Sequence, residues 1–414
     1  DRMVALKELF GAPDEAYRVI HVAGSKGKGS TSTMLASIFR EAGEKVGLYT
    51  SPHLLSFTER IAIDGEPVDT PLLTRCAEIL RDGLRNRAPE AFPGGEAPTY
   101  FELLTMLAFL CFREAGCTLA VIEVGLGGRI DSTNVVKPSA CVITPIELEH
   151  TEILGDTIAK IAAEKAGIIK PGVPSYTSAW KPEALEVIRA HARKADASLF
   201  VLGDGASIED LSVGRGGTAF SLSLSLRGAP SPRSPLRLRT PLIGEVQAMN
   251  ASLAAAVALD MGIVEDTVIK GLSRARLRAR FEIMEGEPVV VLDGAHTPDS
   301  SAACSRDFLS LFGPGCVLLF GCAKDKDPAA MARALKGVAD RAIITKPGTF
   351  KESRPERIAA AFADEGYSTL LEPDTRGALA LALGAARATG KPLLVTGSFY
   401  LCAEAAEVLA LMGR

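Results

Sequence analysis

The sequence predicts an α/β protein with two parallel sheets covered by helices, and three observations carry that prediction. Short β-branched runs alternate with longer helical patterns through both halves of the 414 residues, which is the signature of strands joined by helical crossovers. A glycine-rich stretch, HVAGSKGKGST at 21–31, joins one such run to an amphipathic stretch. A single period-two segment between 218 and 244 interrupts the alternation.

Taken in order, DRMVALKELFG reads as a helix already under way, and position 1 is Asp rather than Met; further N-terminal sequence is expected. Strands are expected at 18–22 (RVIHV), 45–50 (KVGLYT), 118–124 (TLAVIEV) and 140–146 (ACVITPI). After the glycines, Met34, Leu35, Ile38, Phe39 and Ala42 share one helical face, and Gly43 is placed to end that helix. TAFSLSLSL (218–226) alternates apolar and polar residues, RGAPSPRSP breaks the pattern and LRLRTPLIG resumes it. That predicts a small antiparallel hairpin with one wet face, attached to the edge of the first sheet. GLSRARLRARFEIMEGE (271–287) turns basic and then polar before a second set of strands at 288–293, 316–321, 341–346 and 392–397. The domain boundary is placed there, dividing 1–284 from 285–414.

Composition narrows the function. With 47% hydrophobic and 23% charged residues, the chain is ordinary for a globular protein. A formal net charge of −4 supplies no overall basic field, so nucleic acid is not an expected partner. The longest apolar run, LLTMLAFLCF at 103–112, is about half of a membrane span, so no membrane association is expected either. Eight scattered cysteines without a C-x-x-C pair read as buried thiols of a reducing compartment. A cytoplasmic monomer is expected.

A strand, a glycine loop and a helix together form a cradle in which backbone N–H groups and a helix N-terminus meet phosphate. Lys28 would reach the β- and γ-phosphates, and the Ser30 or Thr31 hydroxyl would ligate Mg²⁺. The general pattern G-x-x-x-x-G-K-[ST] is not met, because Val22 takes the first glycine position and Gly29 separates Lys28 from Ser30. A plain surface turn is the alternative reading of the same residues. Glu123 closes a strand where ligands of parallel sheets bind, although a solvated charge fits that position equally well.

Longer motifs extend the loop: GLYTSPHLLSFTERIAIDGEPV (47–68), TYFELLT (99–105), EVGLGGRIDSTNVV (123–136), EHTEILGDTIAKIAAEKAGIIKPGVP (149–174), LDGAH (292–296), DKD (325–327) and VTGSFYL (395–401). Together they resemble the folylpolyglutamate synthase and dihydrofolate synthase family of the Mur ligase superfamily over nearly the whole chain. The resemblance implies a P-loop, Mur-ligase-type ATPase domain followed by a smaller Rossmann-like domain that binds glutamate. It implies an ATP-dependent amide ligase that phosphorylates a pterin-bearing carboxylate and lets the L-glutamate amine attack it. The acceptor would be dihydropteroate, tetrahydrofolate or both, and the TYFE run points to both.

The resemblance also implies roles for residues. Gly24, Gly27, Lys28, Gly29, Ser30 and Thr31 would hold ATP, with Asn250, Arg280 and Asp293 as further nucleotide contacts. Ser30 and Glu123 would hold one Mg²⁺, and His150 would contribute to a second. Lys165 would carry a carbamate, where the plain alternative is a surface lysine beside Lys160 and Glu164. His296 and Ser398 would lie near the incoming glutamate; otherwise they are strand-end caps. Thr99, Phe101 and Asp131 would face the pterin, although Phe101 also suits a helix core. Ser51, His53 and Arg60 belong to a loop expected over the substrate.

Four positions depart from the family pattern: Lys26 for asparagine, Val246 for histidine, Ala279 for the glycine before Arg280, and Thr297 for asparagine. Two alternatives stand beside the main reading. One is a Mur-type ligase for a different acid, and the other a nucleotide-binding module without ligase turnover.

Overall fold

The computed structural model describes residues 1–85, 87–226, 235–348 and 352–412. The chain forms two compact units, one made of 1–211, 219–240 and 246–276, the other of 212–218, 241–245 and 277–414.

The first unit opens with α1 (Arg2–Leu9), β1 (Arg18–Ala23), α2 (Lys28–Glu41), β2 (Val46–Tyr49), β3 (Ile61–Ile63) and β4 (Glu66–Pro67). It continues through α3 (Thr70–Leu84), α4 (Tyr100–Ala115), β5 (Leu119–Glu123), β6 (Ala140–Ile143), α5 (Thr151–Leu154) and α6 (Ile158–Ala166). Then come β7 (Ser175–Thr177), α7 (Pro182–Lys194), β8 (Leu199–Val201) and α8 (Leu202–Gly205). These strands form one sheet in the order β4-β3-β2-β5-β1-β6-β7-β8. The four strands expected from sequence are its four central members. They run parallel and are buried almost throughout, as strands covered on both faces must be. The short β3 and β4 add an antiparallel edge.

One face of this sheet packs on α1, α3 and α4 through Leu6, Leu72, Phe109 and Phe112 and, further along the same face, on α6 and α7 through Ile161 and Ile188, while α2 lies against β1, β2 and β5. In α2, Met34, Leu35, Ile38 and Phe39 are fully buried, while Ala42 is exposed at the C-cap. All eight cysteines are buried free thiols. Among the described residues no helix is long and apolar enough to cross a membrane.

The period-two segment corrects one expectation. Its strands β10 (Gly217–Leu224) and β11 (Leu236–Thr240) join β9 (Ala206–Gly214) in a separate three-stranded sheet, order β11-β10-β9, rather than extending the first. The partner β9 is mostly exposed, and its sequence ASIEDLSVG carries no alternation to announce it. The breaking loop at 227–234 lies outside the described residues. Helices α9 (Glu245–Asp260) and α10 (Glu265–Arg274) follow, and α10 packs along α2, where the Ser37 hydroxyl donates to the Gly271 carbonyl over 2.7 Å.

The second unit's main run is β12 (Glu282–Met284), β13 (Val290–Asp293), α11 (Pro298–Phe312), β14 (Val317–Phe320), α12 (Pro328–Ala334) and β15 (Arg341–Ile344). It ends with α13 (Pro355–Asp364), β16 (Ser368–Leu371), α14 (Thr375–Thr389), β17 (Leu393–Thr396) and α15 (Phe399–Leu411). Its sheet runs β12-β13-β17-β14-β15-β16, parallel except at β12. The four expected strands again take adjacent central places. Phe308, Phe320 and Phe362 fill its core, which Ile243 helps to close.

Candidate active site

The glycine loop lies at the carboxyl end of the central strand β1, where Val22 is in register with Glu123 of β5. Thr144 sets its path: Gly24 has φ +147°, and a Cβ there would overlap the Thr144 hydroxyl. The Pro145 carbonyl then accepts hydrogen bonds from the N–H groups of Ser25 (2.9 Å) and Lys26 (3.2 Å). Gly27, at φ +86°, is the N-cap of α2, and a Cβ on it would overlap the side-chain oxygen of Asn250. Asn250 is buried on α9 and donates to Gln247 over 3.1 Å. The glycines are needed here for backbone shape and for close approach at once.

Two lysines converge on one oxygen. Lys28 Nζ and Lys165 Nζ donate to the Gly24 carbonyl over 2.9 Å and 2.7 Å. Lys165, on α6, is buried rather than a surface lysine, and it pairs with Glu149 at 2.9 Å. Burial and the nearby Lys28 push its ammonium down to about 8, against the pull of Glu149. Burial by itself would raise the Glu149 carboxyl, but Lys165, Lys28 and Lys26 outweigh it and leave it below the usual carboxylate range. Glu149 was missed by sequence reasoning; its adjacency to His150 was the available signal. Ser30 and Thr31 are buried in the first turn of α2, and the Thr31 hydroxyl oxygen has no partner among the described residues.

Glu123 is buried, and its carboxylate accepts the Ser51 N–H at 3.0 Å. Ser51 begins the predicted substrate loop, which Glu59 organises by accepting the N–H groups of Leu54, Leu55 and Ser56. Within it, Arg60 donates to His53 over 2.8 Å, and burial together with that guanidinium lowers the His53 pKa. His150 is exposed at the N-cap of the short α5, with φ +47°. Among the described residues no group of three or more His, Cys, Asp or Glu side chains is gathered to hold a metal ion. Ser30 in the first turn of α2 and Glu123 at the end of β5 nevertheless offer oxygen donors, which is the donor chemistry that Mg²⁺ prefers.

Of the residues expected to face a pterin, Thr99 is an exposed N-cap that forms a capping box with Glu102. Phe101 is half-buried; it packs on the α4 core and its ring closes over Gly125, directly after β5. Asp131 is bound into its own loop: one oxygen accepts the Thr133 N–H (2.9 Å) and hydroxyl (2.6 Å), the other the Leu126 N–H (2.8 Å).

In the second unit, Asp293 ends β13 and accepts the N–H groups of Phe281 and Ala295, both at 2.9 Å. Burial raises its pKa against those bonds and the Arg280 charge. Arg280 stacks 4.1 Å above the Phe399 ring, and the His296 ring lies 5.7 Å from the same phenyl. His296 Nδ1 is 2.8 Å from the Gly294 carbonyl. Ser398 caps α15, and Thr297 caps α11 in a reciprocal bond with Ser300, so threonine does the capping work that asparagine would. Ala279 holds φ +53°, and Val246 is 40% exposed. A separate cavity of 650 Å³ in the first unit, lined by Tyr176, Arg189, Arg193, Phe200 and Asp260, contains none of these residues.

The Mur ligase middle domain matches residues 22–258, and the Mur ligase glutamate ligase domain residues 279–399. A probable bifunctional folylpolyglutamate synthase/dihydropteroate synthase of Halobacterium salinarum is 37% identical over 93% of this chain. The chain spans only 46% of that relative's length. A dihydrofolate synthase/folylpolyglutamate synthase of Bacillus subtilis is 33% identical over 97% of this chain and 93% of its own. The crystal structure of Mycobacterium tuberculosis folylpolyglutamate synthase complexed with ADP and AMPPCP superposes with a TM-score of 0.89 and 31% identity. It covers 100% of this chain and 95% of the other.

Proposed function

Because the chain belongs to the folylpolyglutamate synthase and dihydrofolate synthase family of Mur ligases, we propose that it joins L-glutamate to a pterin-bearing carboxylate at the expense of ATP. The convergence of Lys28 and Lys165 on the Gly24 carbonyl, at the N-terminus of α2, carries this reading. The Lys28 cation and a helix end facing one short loop favour a polyphosphate, and the relative of known structure holds ADP and AMPPCP.

In the reaction, a carboxylate oxygen of the acceptor bonds to the γ-phosphorus as the bond to the β-phosphate oxygen breaks, releasing ADP. The glutamate amine then attacks the acyl carbon; the C–N bond forms, the C–O bond breaks, phosphate leaves and the amine loses its proton. Lys28 neutralises charge on the transferring group, which requires positioning and electrostatics rather than an enzyme nucleophile. Gly24, Gly27, Gly29, Ser30 and Thr31 shape the phosphate site, with Asn250, Arg280 and Asp293 as nucleotide contacts. Ser30 and Glu123 would hold Mg²⁺, with His150 at a second ion; bound there, the metal would offset phosphate charge. Lys165 has the desolvated, partly free amine that reaction with CO₂ needs, and a carbamate would turn it into an anion. His296 and Ser398 would serve glutamate; Thr99, Phe101 and Asp131 would serve the pterin. The paired activities named for the Bacillus subtilis relative support action on both dihydropteroate and tetrahydrofolate. We propose a cytoplasmic monomer.

Purified protein with Mg-ATP, glutamate and either acceptor should yield a product heavier by one glutamyl residue, read by mass spectrometry. Lys28→Ala should lower turnover by about 10²–10³-fold. ATP binding without any new amide would instead establish a nucleotide-binding module, and amide formation only with a non-pterin acid a different Mur-type ligase.

A further inference from the structure

A histidine sits where a parallel sheet normally places Val or Ile. His21 lies in the middle of β1, in register with Ile122 of β5, and is fully buried. Its Nε2 is 2.9 Å from the hydroxyl oxygen of Thr133, itself fully buried, and that hydroxyl is 2.6 Å from Asp131 Oδ1.

The direction of this chain follows from counting hydrogens. An ionised carboxylate only accepts, so the single hydroxyl hydrogen of Thr133 goes to Asp131. The contact from His21 must therefore be Nε2–H donating to the Thr133 oxygen. That leaves Nδ1 as a bare acceptor, and Nδ1 is the buried ring atom without a partner among the described residues. A ring buried this deeply stays neutral: desolvation lowers its pKa to about 3.

The Thr133 and Leu126 N–H groups and the Thr133 hydroxyl therefore fix both Asp131 oxygens, and the hydroxyl is locked from behind by the rigid centre of the sheet. Oδ1 already accepts two bonds, whereas Oδ2 accepts one and keeps a lone-pair site for a further donor. A turn cap needs only the backbone bonds; the buried imidazole adds desolvation cost that a cap alone does not require.

We propose that His21 and Thr133 are positioning residues that hold the Asp131 carboxylate in the orientation with which its Oδ2 accepts an N–H donor of the pterin ring. This rests on the assignment of Asp131 to the pterin. Thr133→Val removes the hydroxyl at nearly constant shape, and Thr133→Ser keeps it.

Steady-state kinetics on the full chain, with dihydropteroate or tetrahydrofolate as acceptor, should show Thr133→Val raising the KM for the pterin about tenfold. The KM values for Mg-ATP and glutamate should stay within twofold, and Thr133→Ser should restore the pterin KM. Nitrogen NMR of the wild type should show His21 protonated at Nε2 and bare at Nδ1. The positioning role is overturned if Asp131→Asn raises the pterin KM but Thr133→Val does not. It is overturned equally if Thr133→Val raises all three KM values together with a fall in Tm, or if His21 carries its proton on Nδ1. If Asp131→Asn itself leaves the pterin KM unchanged, the pterin assignment falls, and the positioning role with it.

Discussion

The side-chain oxygen of Asn250 stands against Gly27 with no room for a methyl group between them, so α9 fixes the shape of the phosphate loop from outside the loop. Gly27→Ala must shift a buried, hydrogen-bonded Asn250 and hold alanine at φ +86°. The left-handed backbone alone costs about 1–2 kcal/mol. Isothermal titration should show ADP affinity reduced at least about tenfold in this variant; undiminished binding would mean that the loop is not the nucleotide site.

Lys165 offers a second measurement. Its buried ammonium pairs with Glu149, and burial holds its pKa near 8, so a substantial fraction of free amine is present at mildly alkaline pH. Turnover should fall in CO₂-depleted buffer and recover with bicarbonate, and Lys165→Met should be slow under both conditions. Equal rates with and without bicarbonate would dispose of the carbamate.

Asp307 on α11 makes stability depend on pH. Burial first, and then Asp293, raises its carboxyl from the ordinary 3.8 to about 6. The folded protein therefore binds this proton more tightly than the unfolded chain does. Its contribution is fully present below 3.8 and is lost as pH rises through 6, after which the ionised carboxylate is a burden. Asp307→Asn should stabilise the protein at pH 7.5 by about 1–3 kcal/mol and change little below pH 4. Thermal unfolding at both pH values checks this, and an equal shift at both would refute the titration.

Ala279 occupies a left-handed position, φ +53°, fully buried, with its N–H donated to Glu282 over 2.9 Å. Glycine there would relieve about 1–2 kcal/mol of backbone strain and lose about 0.4–1 kcal/mol through the unfolded chain. Ala279→Gly should thus leave stability equal or slightly higher, by no more than about 1 kcal/mol, whereas Ala279→Val should clearly destabilise. Denaturant unfolding that shows Ala279→Gly to be strongly destabilised would contradict the strain.

The legible parts of this chain were those in which a run of residues answers to one environment. The central strands read from sequence because burial on both faces makes RVIHV, TLAVIEV and ACVITPI predominantly apolar. Strands such as Ser175–Thr177 and Leu199–Val201 escaped because three residues give no period to count. Ala206–Gly214 escaped because it is mostly exposed. At the site, the glycines announced themselves through backbone geometry, but the pairing of Lys165 with Glu149 and the bond from His21 to Thr133 are contacts between distant segments. Nothing in the local pattern of EHTEIL or RVIHV encodes them.

The second unit borrows 212–218 and 241–245 from within the first unit's stretch of chain. Thr218 bonds the backbone of Leu242 and Gly244, and Ile243 closes the apolar core around Phe308. A recombinant fragment beginning at Leu277 would thus lack part of its own lining and offer sticky surface to other molecules. The two halves are woven rather than strung, and neither can be cut free with a single scission.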